Sequence, residues 1–190
     1  MIRTGIYGGS FNPIHLGHTF LGEALVRMGV VDELWLLVSP QNPFKVNQSL
    51  LSDEDRLSLA ELAVEGNKHL QVCDAEFHLP RPSYMVNTLK VLSNRHPDRS
   101  FLLVIGADNW ERFPQWYKSE EILSHHQLVI IPRPGYEIKD APKDAIVAST
   151  PLYDISSTQI REAISNGTFD GTGLHPAVWK KIQQEGYYLK

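Results

Sequence analysis

Cysteine, long apolar runs and excess charge are all scarce in this sequence. Its 190 residues include one cysteine, which excludes an intramolecular disulfide and is typical of a reducing compartment. No apolar stretch approaches the ~18 residues of a membrane span or has the layout of a signal peptide. We therefore expect a cytoplasmic protein that does not bind or span a membrane.

The charge balance also bears on whether the protein binds nucleic acid. A formal net charge of -4 argues against a general nucleic-acid binder, because such proteins usually carry a basic patch. Any binding of phosphate should therefore be local. The apolar fraction of 42% and the charged fraction of 21% are ordinary for a globular chain.

Short apolar runs alternate with stretches of helical periodicity along the whole chain. This alternation predicts an α/β protein with a Rossmann-like, doubly wound parallel sheet covered by helices on both faces. The length suits a single domain over residues 1–190, since about 100–200 residues per domain is usual. The predicted strands are residues 2–7, 33–38, 70–75, 101–105, 128–131 and 146–148.

The first predicted strand leads into a glycine turn, Gly8 and Gly9, and then into a helix start near Leu16. Glycine lets the backbone approach a ligand closely, and a helix start presents unpaired N–H groups, so this arrangement suits a phosphate. His15 and His18 lie three residues apart and project from one face of the first turn, where an imidazole can donate to an oxyanion. A zinc site is the competing interpretation, but further closely spaced Cys or His ligands are lacking.

Two more positions lie at predicted carboxyl ends of strands, where open α/β sheets bind their ligands. Lys45, in a proline-broken loop, either reaches a phosphate or is a solvated loop lysine. Asp108, two residues after Gly106, is predicted to accept hydrogen bonds from ribose hydroxyls, to cap a helix, or to do both. Arg56, in the first turn of another helix, is placed to form a surface ion pair with neighbouring carboxylates.

Helix starts and aromatic residues remain ambiguous from the residues alone. Arg161 lies one turn into a helix that begins with hydroxyl residues, an arrangement that is usually only a capped helix. Ser83 is likewise predicted to cap a helix, and Cys73 to be a core residue. The aromatic cluster around Pro114 either packs in the core, the commoner use, or stacks on a flat ring. Its members are Trp110, Phe113, Trp116 and Tyr117.

Two segments near opposite ends of the chain stand out as a pair of signatures. The first reads Gly8-Gly9-Ser10-Phe11-Asn12-Pro13-Ile14-His15-Leu16-Gly17-His18, and the second reads Ile155-Ser156-Ser157-Thr158-Gln159-Ile160-Arg161. The first resembles that of the nucleotidyltransferases with a His-x-Gly-His element, most like the bacterial nicotinate-nucleotide adenylyltransferases, and the second matches the second signature of that family. Family-like segments at 83–89 and 106–117 lie between the two in the expected order. In this family a basic residue near the position of Arg56 can face the triphosphate.

The resemblance implies adenylyl transfer from ATP to nicotinate mononucleotide, which gives nicotinate adenine dinucleotide and pyrophosphate for NAD biosynthesis. It implies that Mg²⁺ accompanies ATP and that catalysis is alignment plus charge stabilisation. The residues implied in catalysis are His15, His18, Lys45 and Arg161. The residues implied in substrate binding are Gly8, Gly9, Ser10, Phe11, Met85, Gly106, Asp108, Trp116, Tyr117, Ser156, Ser157 and Thr158.

Within that set, the resemblance implies that Trp116 stacks on the pyridine ring and that the N–H groups of Met85 and Tyr117 bind its carboxylate. The family usually has Tyr-Thr-x-Asp-Thr-Leu where this chain has Met85 and Asn87. Because the contact at Met85 is made by the main chain, its side chain can change without loss of the contact. The acceptor is therefore less firmly implied than the reaction.

Two alternatives stay open. The acceptor could be nicotinamide mononucleotide or phosphopantetheine, although the aromatic pair Trp116 and Tyr117 favours a pyridine ring. The chain could also be a nucleotide-binding regulator without turnover, although intact His15, His18 and Arg161 argue against it. The sequence leaves the oligomeric state open, a homo-oligomer included.

Overall fold

The computed structural model describes residues 1–40 and 50–189, and six strands and seven α-helices lie in that part of the chain. Two short 3₁₀ helices, Ala75–His78 and Phe113–Gln115, lie between them. The strands are β1 (Ile2–Gly9), β2 (Glu33–Val38), β3 (Leu70–Cys73), β4 (Arg99–Gly106), β5 (Leu128–Ile131) and β6 (Ile146–Val147). The helices are α1 (Leu16–Arg27), α2 (Asp53–Val64), α3 (Met85–Arg95), α4 (Ala107–Arg112), α5 (Ser119–His125), α6 (Ser157–Ser165) and α7 (Pro176–Glu185).

The six strands form one parallel sheet in the order β3-β2-β1-β4-β5-β6. The chain winds outward from β1 to one edge and then from β4 to the other, which is the doubly wound order. The prediction of a Rossmann-like α/β fold is confirmed. In such sheets the order reverses between the two central strands, so a crevice opens beyond the carboxyl ends of β1 and β4.

Alternate side chains of each strand point to opposite faces of the sheet, and both faces are buried. Leu34 and Leu36 belong to the apolar cluster that includes residues of α1, α2, α6 and α7. Trp35 and Leu37 belong to the cluster on the other face, which includes residues of α3 and α5. This two-sided burial explains why the strands read as continuous apolar runs.

The observed ends of a few strands and helices differ from the predicted ones. The bounds of β2 and β5 coincide with the predicted ones, whereas β3 ends at Cys73 because Ala75 already opens a 3₁₀ helix. Cys73 is buried as predicted, and burial raises the pKa of its thiol to about 11. Ser83 does not cap α3: the cap position is Tyr84, and the Ser83 hydroxyl donates to Glu76 instead.

Among the helices of residues 1–40 and 50–189, none has both the length and the apolar character needed to cross a bilayer.

Candidate active site

Two cavities open side by side at the carboxyl ends of the sheet strands. The first has a volume of about 360 Å³ and the second about 240 Å³, and both have Tyr7, Gly8, Gly9 and Asn109 in their walls. They therefore adjoin at the glycine turn that follows β1. The first is lined mostly by polar and cationic groups, and the second by aromatic, apolar and hydroxyl groups.

His15 and His18 stand together at the start of α1 in the wall of the first cavity. Their rings stack with centroids 3.6 Å apart. The backbone N–H of His15 donates to Nδ1 of His18 at 3.1 Å. Because Nδ1 accepts this bond, the proton of the neutral His18 ring is on Nε2. The N–H donor of the neutral His18 ring is therefore at Nε2.

His15 is 8% exposed, whereas the ring of His18 is only partly buried. Burial lowers the pKa of His15 to about 4, with a smaller contribution from the nearby Arg133 guanidinium. His15 is therefore neutral at physiological pH and can serve as a hydrogen-bonding group but not as a cation. A Cβ at Gly17 would lie 3.0 Å from the His15 ring, so glycine between the two histidines lets the ring fold back over the helix start.

The two signatures meet in space although they lie at opposite ends of the chain. Arg161 donates through Nη1 to the carbonyl of Asn12 at 2.8 Å, and the hydroxyl of Ser157 donates to the carbonyl of Pro13 at 2.9 Å. Both contacts hold the start of α6 against the loop between β1 and α1. A parallel crossover places the two helix starts at the same edge of the sheet, as the resemblance implies.

The hydroxyl residues of the second signature are both helix caps and cavity walls. Ser156 is the N-cap of α6 and accepts from the N–H of Gln159 at 3.5 Å, and the hydroxyl of Thr158 accepts from Arg161 at 3.4 Å. All three hydroxyl residues, Ser156 to Thr158, and Arg161 line the first cavity. The capped helix and the phosphate site are thus compatible interpretations of one segment.

Glycine is required beside Asp108 because two side chains converge there. A Cβ at Gly106 would lie 2.9 Å from Nε of Arg133 and would also collide with the Asp108 carboxylate. Asp108 and Arg133 form an ion pair at 3.8 Å in the wall of the first cavity. The alternative that Asp108 caps a helix is wrong, since Gly106 occupies that position.

Sequence reasoning missed two arginines of the first cavity, Arg112 and Arg133. Arg133 donates to the Tyr7 hydroxyl at 3.0 Å, and burial is the main cause of the raised pKa of that hydroxyl. A usable signal for Arg133 was its position in a Pro-Arg-Pro-Gly turn directly after β5, at the carboxyl edge. Together with Arg161, three guanidiniums surround the space beside the histidines.

The ion pair expected of Arg56 is present but buried and not at the surface, and Arg56 lines neither cavity. Its side chain is 0% exposed, and its Nη1 donates to the carbonyls of Ser10 at 2.7 Å and Ser39 at 2.8 Å. It also pairs with Asp53 at 2.6 Å. Burial is the main influence on its guanidinium and lowers its pKa. Arg56 therefore ties α2 to the turn after β1 and to the end of β2 instead of facing a ligand.

The glycine turn is shaped by what packs against it. A Cβ at Gly8 would lie 3.2 Å from the end of Met85, and one at Gly9 would lie 3.1 Å from the ring of Phe11. Phe11 is 3% exposed and has a left-handed φ of 47°, which turns its ring beneath Gly9. Ser10, between them, lines the first cavity.

The aromatic cluster divides between core and cavity. Phe113 is 1% exposed, which confirms core packing for that residue, whereas Tyr117 is 50% exposed and contacts Tyr84 with ring centroids 4.7 Å apart. Trp116 and Tyr117 line the second cavity together with Met85, whose N–H opens α3 and, as in any first turn, finds no acceptor within the helix. Nε1 of Trp116 is buried with no hydrogen-bond partner among the described residues.

One predicted catalytic residue, Lys45, lies outside the described residues. Within residues 1–40 and 50–189, no cluster of three or more His, Cys, Asp or Glu is placed to hold a metal ion, and Asp108 is the carboxylate in the wall of the first cavity. This donor set does not fit an ion held wholly by the protein. It fits a magnesium ion held mainly by phosphate oxygens and waters, with Asp108 as the available protein ligand.

The cationic space suits phosphates, and the ring-lined space beside it suits a flat ring. Such a pair of cavities at the switch point of a doubly wound sheet is the arrangement expected of a nucleotidyltransferase.

Comparisons with known proteins agree with this class. The cytidylyltransferase-like family model matches residues 6–163. A probable nicotinate-nucleotide adenylyltransferase of Bacteroides fragilis is 47% identical over 185 residues, which cover 96% of this chain and 92% of that protein. One of Bacteroides thetaiotaomicron is 44% identical over the same shares. The chain therefore belongs to the cytidylyltransferase-like family, among the nicotinate-nucleotide adenylyltransferases.

Solved structures share the fold. A Plasmodium falciparum nicotinic acid mononucleotide adenylyltransferase complexed with NaAD matches with a TM-score of 0.80 at 20% identity, over 99% of this chain and 98% of that one. A putative nicotinate-nucleotide adenylyltransferase of Vibrio parahaemolyticus matches with a TM-score of 0.75 at 26% identity, over 99% of this chain and 96% of that one.

Proposed function

We propose that the protein transfers the adenylyl group of ATP to nicotinate mononucleotide and releases pyrophosphate, a step of NAD biosynthesis. The observation that carries this proposal is the meeting of the two cavities at Gly8 and Gly9. ATP occupies the first cavity, and the acceptor's pyridine ring occupies the second. The acceptor phosphate then meets the α-phosphate of ATP above the glycine turn.

The reaction needs alignment more than covalent chemistry. An oxygen of the acceptor phosphate attacks the α-phosphorus, a new P–O bond forms there, and the bond to the leaving pyrophosphate breaks with its electron pair on the pyrophosphate oxygen. The Nε2–H of His18 donates to the phosphoryl oxygens as charge develops, and Arg161 neutralises the phosphates from the α6 side. His15, neutral and stacked on His18, fixes the orientation of that ring.

Asp108 would be the protein ligand of a magnesium ion that enters with ATP. Such an ion would supply positive charge to stabilise the leaving pyrophosphate. Ser156, Ser157 and Thr158 are placed at a helix start, where hydroxyls and N–H groups favour the distal phosphates. Lys45 is proposed to add a further cation.

The second cavity supplies recognition of the acceptor. The first N–H of α3, at Met85, points out of a helix start and favours a carboxylate, and Trp116 offers a face to a flat ring. The N–H of Tyr117 is proposed as a second donor to the same carboxylate.

An unpaired, buried Cys73 and the lack of long apolar runs support action in the cytoplasm.

The test is product formation by the purified chain with ATP and Mg²⁺. With nicotinate mononucleotide we expect pyrophosphate and nicotinate adenine dinucleotide in equal amounts, measured by a coupled pyrophosphate assay and by chromatography. Release only with phosphopantetheine would contradict the proposed acceptor. ATP binding without pyrophosphate release from any acceptor would favour the regulator alternative.

A further inference from the structure

Glu76 is a buried carboxylate that the mechanism above does not use. It lies in the 3₁₀ helix after β3 and is 2% exposed. Within residues 1–40 and 50–189 its partners are three hydroxyls, those of Ser39, of Ser83 at 3.0 Å and of Thr88 at 2.9 Å. Charged side chains are rarely buried without compensating partners, so this cluster is a specific arrangement.

The three hydroxyls belong to segments that form the second cavity. Ser39 directly follows β2, Ser83 comes two residues before α3, and Thr88 lies in the first turn of α3. Ser39, Glu76 and Ser83 themselves line the cavity. One carboxylate therefore fixes the end of β2 and the start of α3 relative to each other.

A second buried carboxylate provides a contrast. Glu33, which is 9% exposed, accepts from the hydroxyl of Thr4 at 2.8 Å and from Arg99 at 2.8 Å. It is the first residue of β2 and lies at the amino ends of the strands, whereas both cavities lie at the carboxyl ends. Glu33 has an arginine for a partner, which is the usual way to stabilise a buried carboxylate.

We propose that Glu76 is a positioning residue for the acceptor. The three hydroxyls donate to the carboxylate, and that of Thr88 also lies 3.3 Å from the carbonyl of Tyr84. These bonds hold the first turn of α3 with the Met85 N–H facing the cavity. Because the second cavity is assigned to the acceptor only by the proposed function, the inference rests on that function. ATP binding is not affected, since the first cavity is held by the separate contacts of Arg161 with Asn12 and of Ser157 with Pro13.

The experiment compares two matched pairs of variants. Glu76→Gln changes the carboxylate to an amide of the same shape, and Thr88→Val removes one donor without a change of volume. Glu33→Gln and Thr4→Val make the same changes at the amino edge. Thermal unfolding is recorded for all four, and the Michaelis constants for ATP and for nicotinate mononucleotide are measured separately, with kcat.

We expect Glu76→Gln and Thr88→Val to raise the Michaelis constant for the acceptor by about tenfold, because a buried hydrogen bond to a charged group is lost. The Michaelis constant for ATP should change by less than about twofold. Both controls should lower the unfolding temperature while both Michaelis constants stay at the wild-type values.

Equal rises in the two Michaelis constants, or no rise for the acceptor in a folded variant, would overturn the positioning role. If Glu76→Gln does not fold, Thr88→Val decides between these results. Wild-type enzyme is assayed first, so a failure to use nicotinate mononucleotide at all would count against the proposed function and is distinguishable from a failure of Glu76.

Discussion

The two cavities that meet at Gly8 and Gly9 differ in what lines them and in how they are held. The first has two histidines, three arginines and the start of α6, whereas the second has Trp116, Tyr117 and Tyr84 and a set of hydroxyls. Charge stabilisation requires fixed donors, and recognition of a flat ring requires a shaped apolar surface. If ATP and the acceptor occupy the two cavities as proposed, separate sets of residues serve the reaction and the choice of acceptor.

The supports of the two cavities differ in the same way. Cations and a hydroxyl hold the loop after β1 by its carbonyls, with Arg56 on Ser10, Arg161 on Asn12 and Ser157 on Pro13. An anion, Glu76, holds the segments around the second cavity by their hydroxyls. Variants on one side should therefore leave the other side largely intact.

The largest effect is expected at His18, where catalysis should suffer far more than ATP binding. His18→Asn keeps an acceptor near the position of Nδ1 for the His15 N–H but removes the Nε2–H donor, so kcat should fall by ~10²–10³, with much smaller changes in ATP binding. His18→Gln, whose amide can reach the position of Nε2, should retain more activity. Steady-state kinetics check both, with the exposed His125→Ala as an unaffected control.

Near-normal turnover of His18→Asn would contradict the assignment of the transition-state donor to Nε2 of His18.

His15 should make stability depend on pH. Its pKa is about 4 in the folded chain and near 6.5 when unfolded, so the unfolded state takes up a proton first as the pH falls. The stability is complete above pH 6.5 and decreases as the pH drops toward 4, by up to about 3 kcal/mol. Urea unfolding at pH 7.5 and 5.0 should show a decrease that is smaller in His15→Gln. The same decrease in both proteins would refute the burial of a neutral His15 as its cause.

Arg161 should affect the first cavity alone. Arg161→Ala should weaken binding of ATP and of pyrophosphate by about 10-fold or more, because charge-assisted hydrogen bonds are lost. Calorimetry with each ligand measures this. Ser157→Ala, which loses a tie to the same loop without loss of a cation, should weaken binding less, and Arg3→Ala, in the exposed pair with Asp32, should not. Unchanged ATP affinity in Arg161→Ala would contradict the proposed contact of Arg161 with the ATP phosphates.

Trp116 should affect the second cavity alone, and less strongly. Trp116→Ala should raise the Michaelis constant for the acceptor by about fivefold, since ring stacking contributes about 1 kcal/mol, with the constant for ATP unchanged. Trp110→Ala is the matched control, because Trp110 packs on Phe113 but does not line either cavity. Met85→Thr should change little if the main chain makes the contact. A higher Michaelis constant for ATP in Trp116→Ala would contradict the independence of the two cavities.

Strands and helix starts could be predicted from the sequence, whereas side-chain contacts between distant segments could not. The alternation of apolar runs predicted the sheet because both of its faces are buried, and two signatures predicted the helix starts that meet at Asn12 and Pro13. The burial of Arg56 was not predicted, because in the sequence a buried arginine that binds three carbonyls looks like any charged residue in a first turn. Ser83 was misread because its partner, Glu76, precedes the helix and is recognisable only in the folded chain.

The most direct test of the account is the ratio of catalytic efficiencies, kcat/KM, for nicotinate and nicotinamide mononucleotide with saturating ATP. A carboxylate gains charge-assisted bonds from N–H groups, whereas the amide turns its own NH₂ donors toward them. We predict a preference for the acid of at least ~10-fold, about 1.4 kcal/mol. Equal efficiencies would contradict the carboxylate site in the second cavity and leave adenylyl transfer without its proposed acceptor.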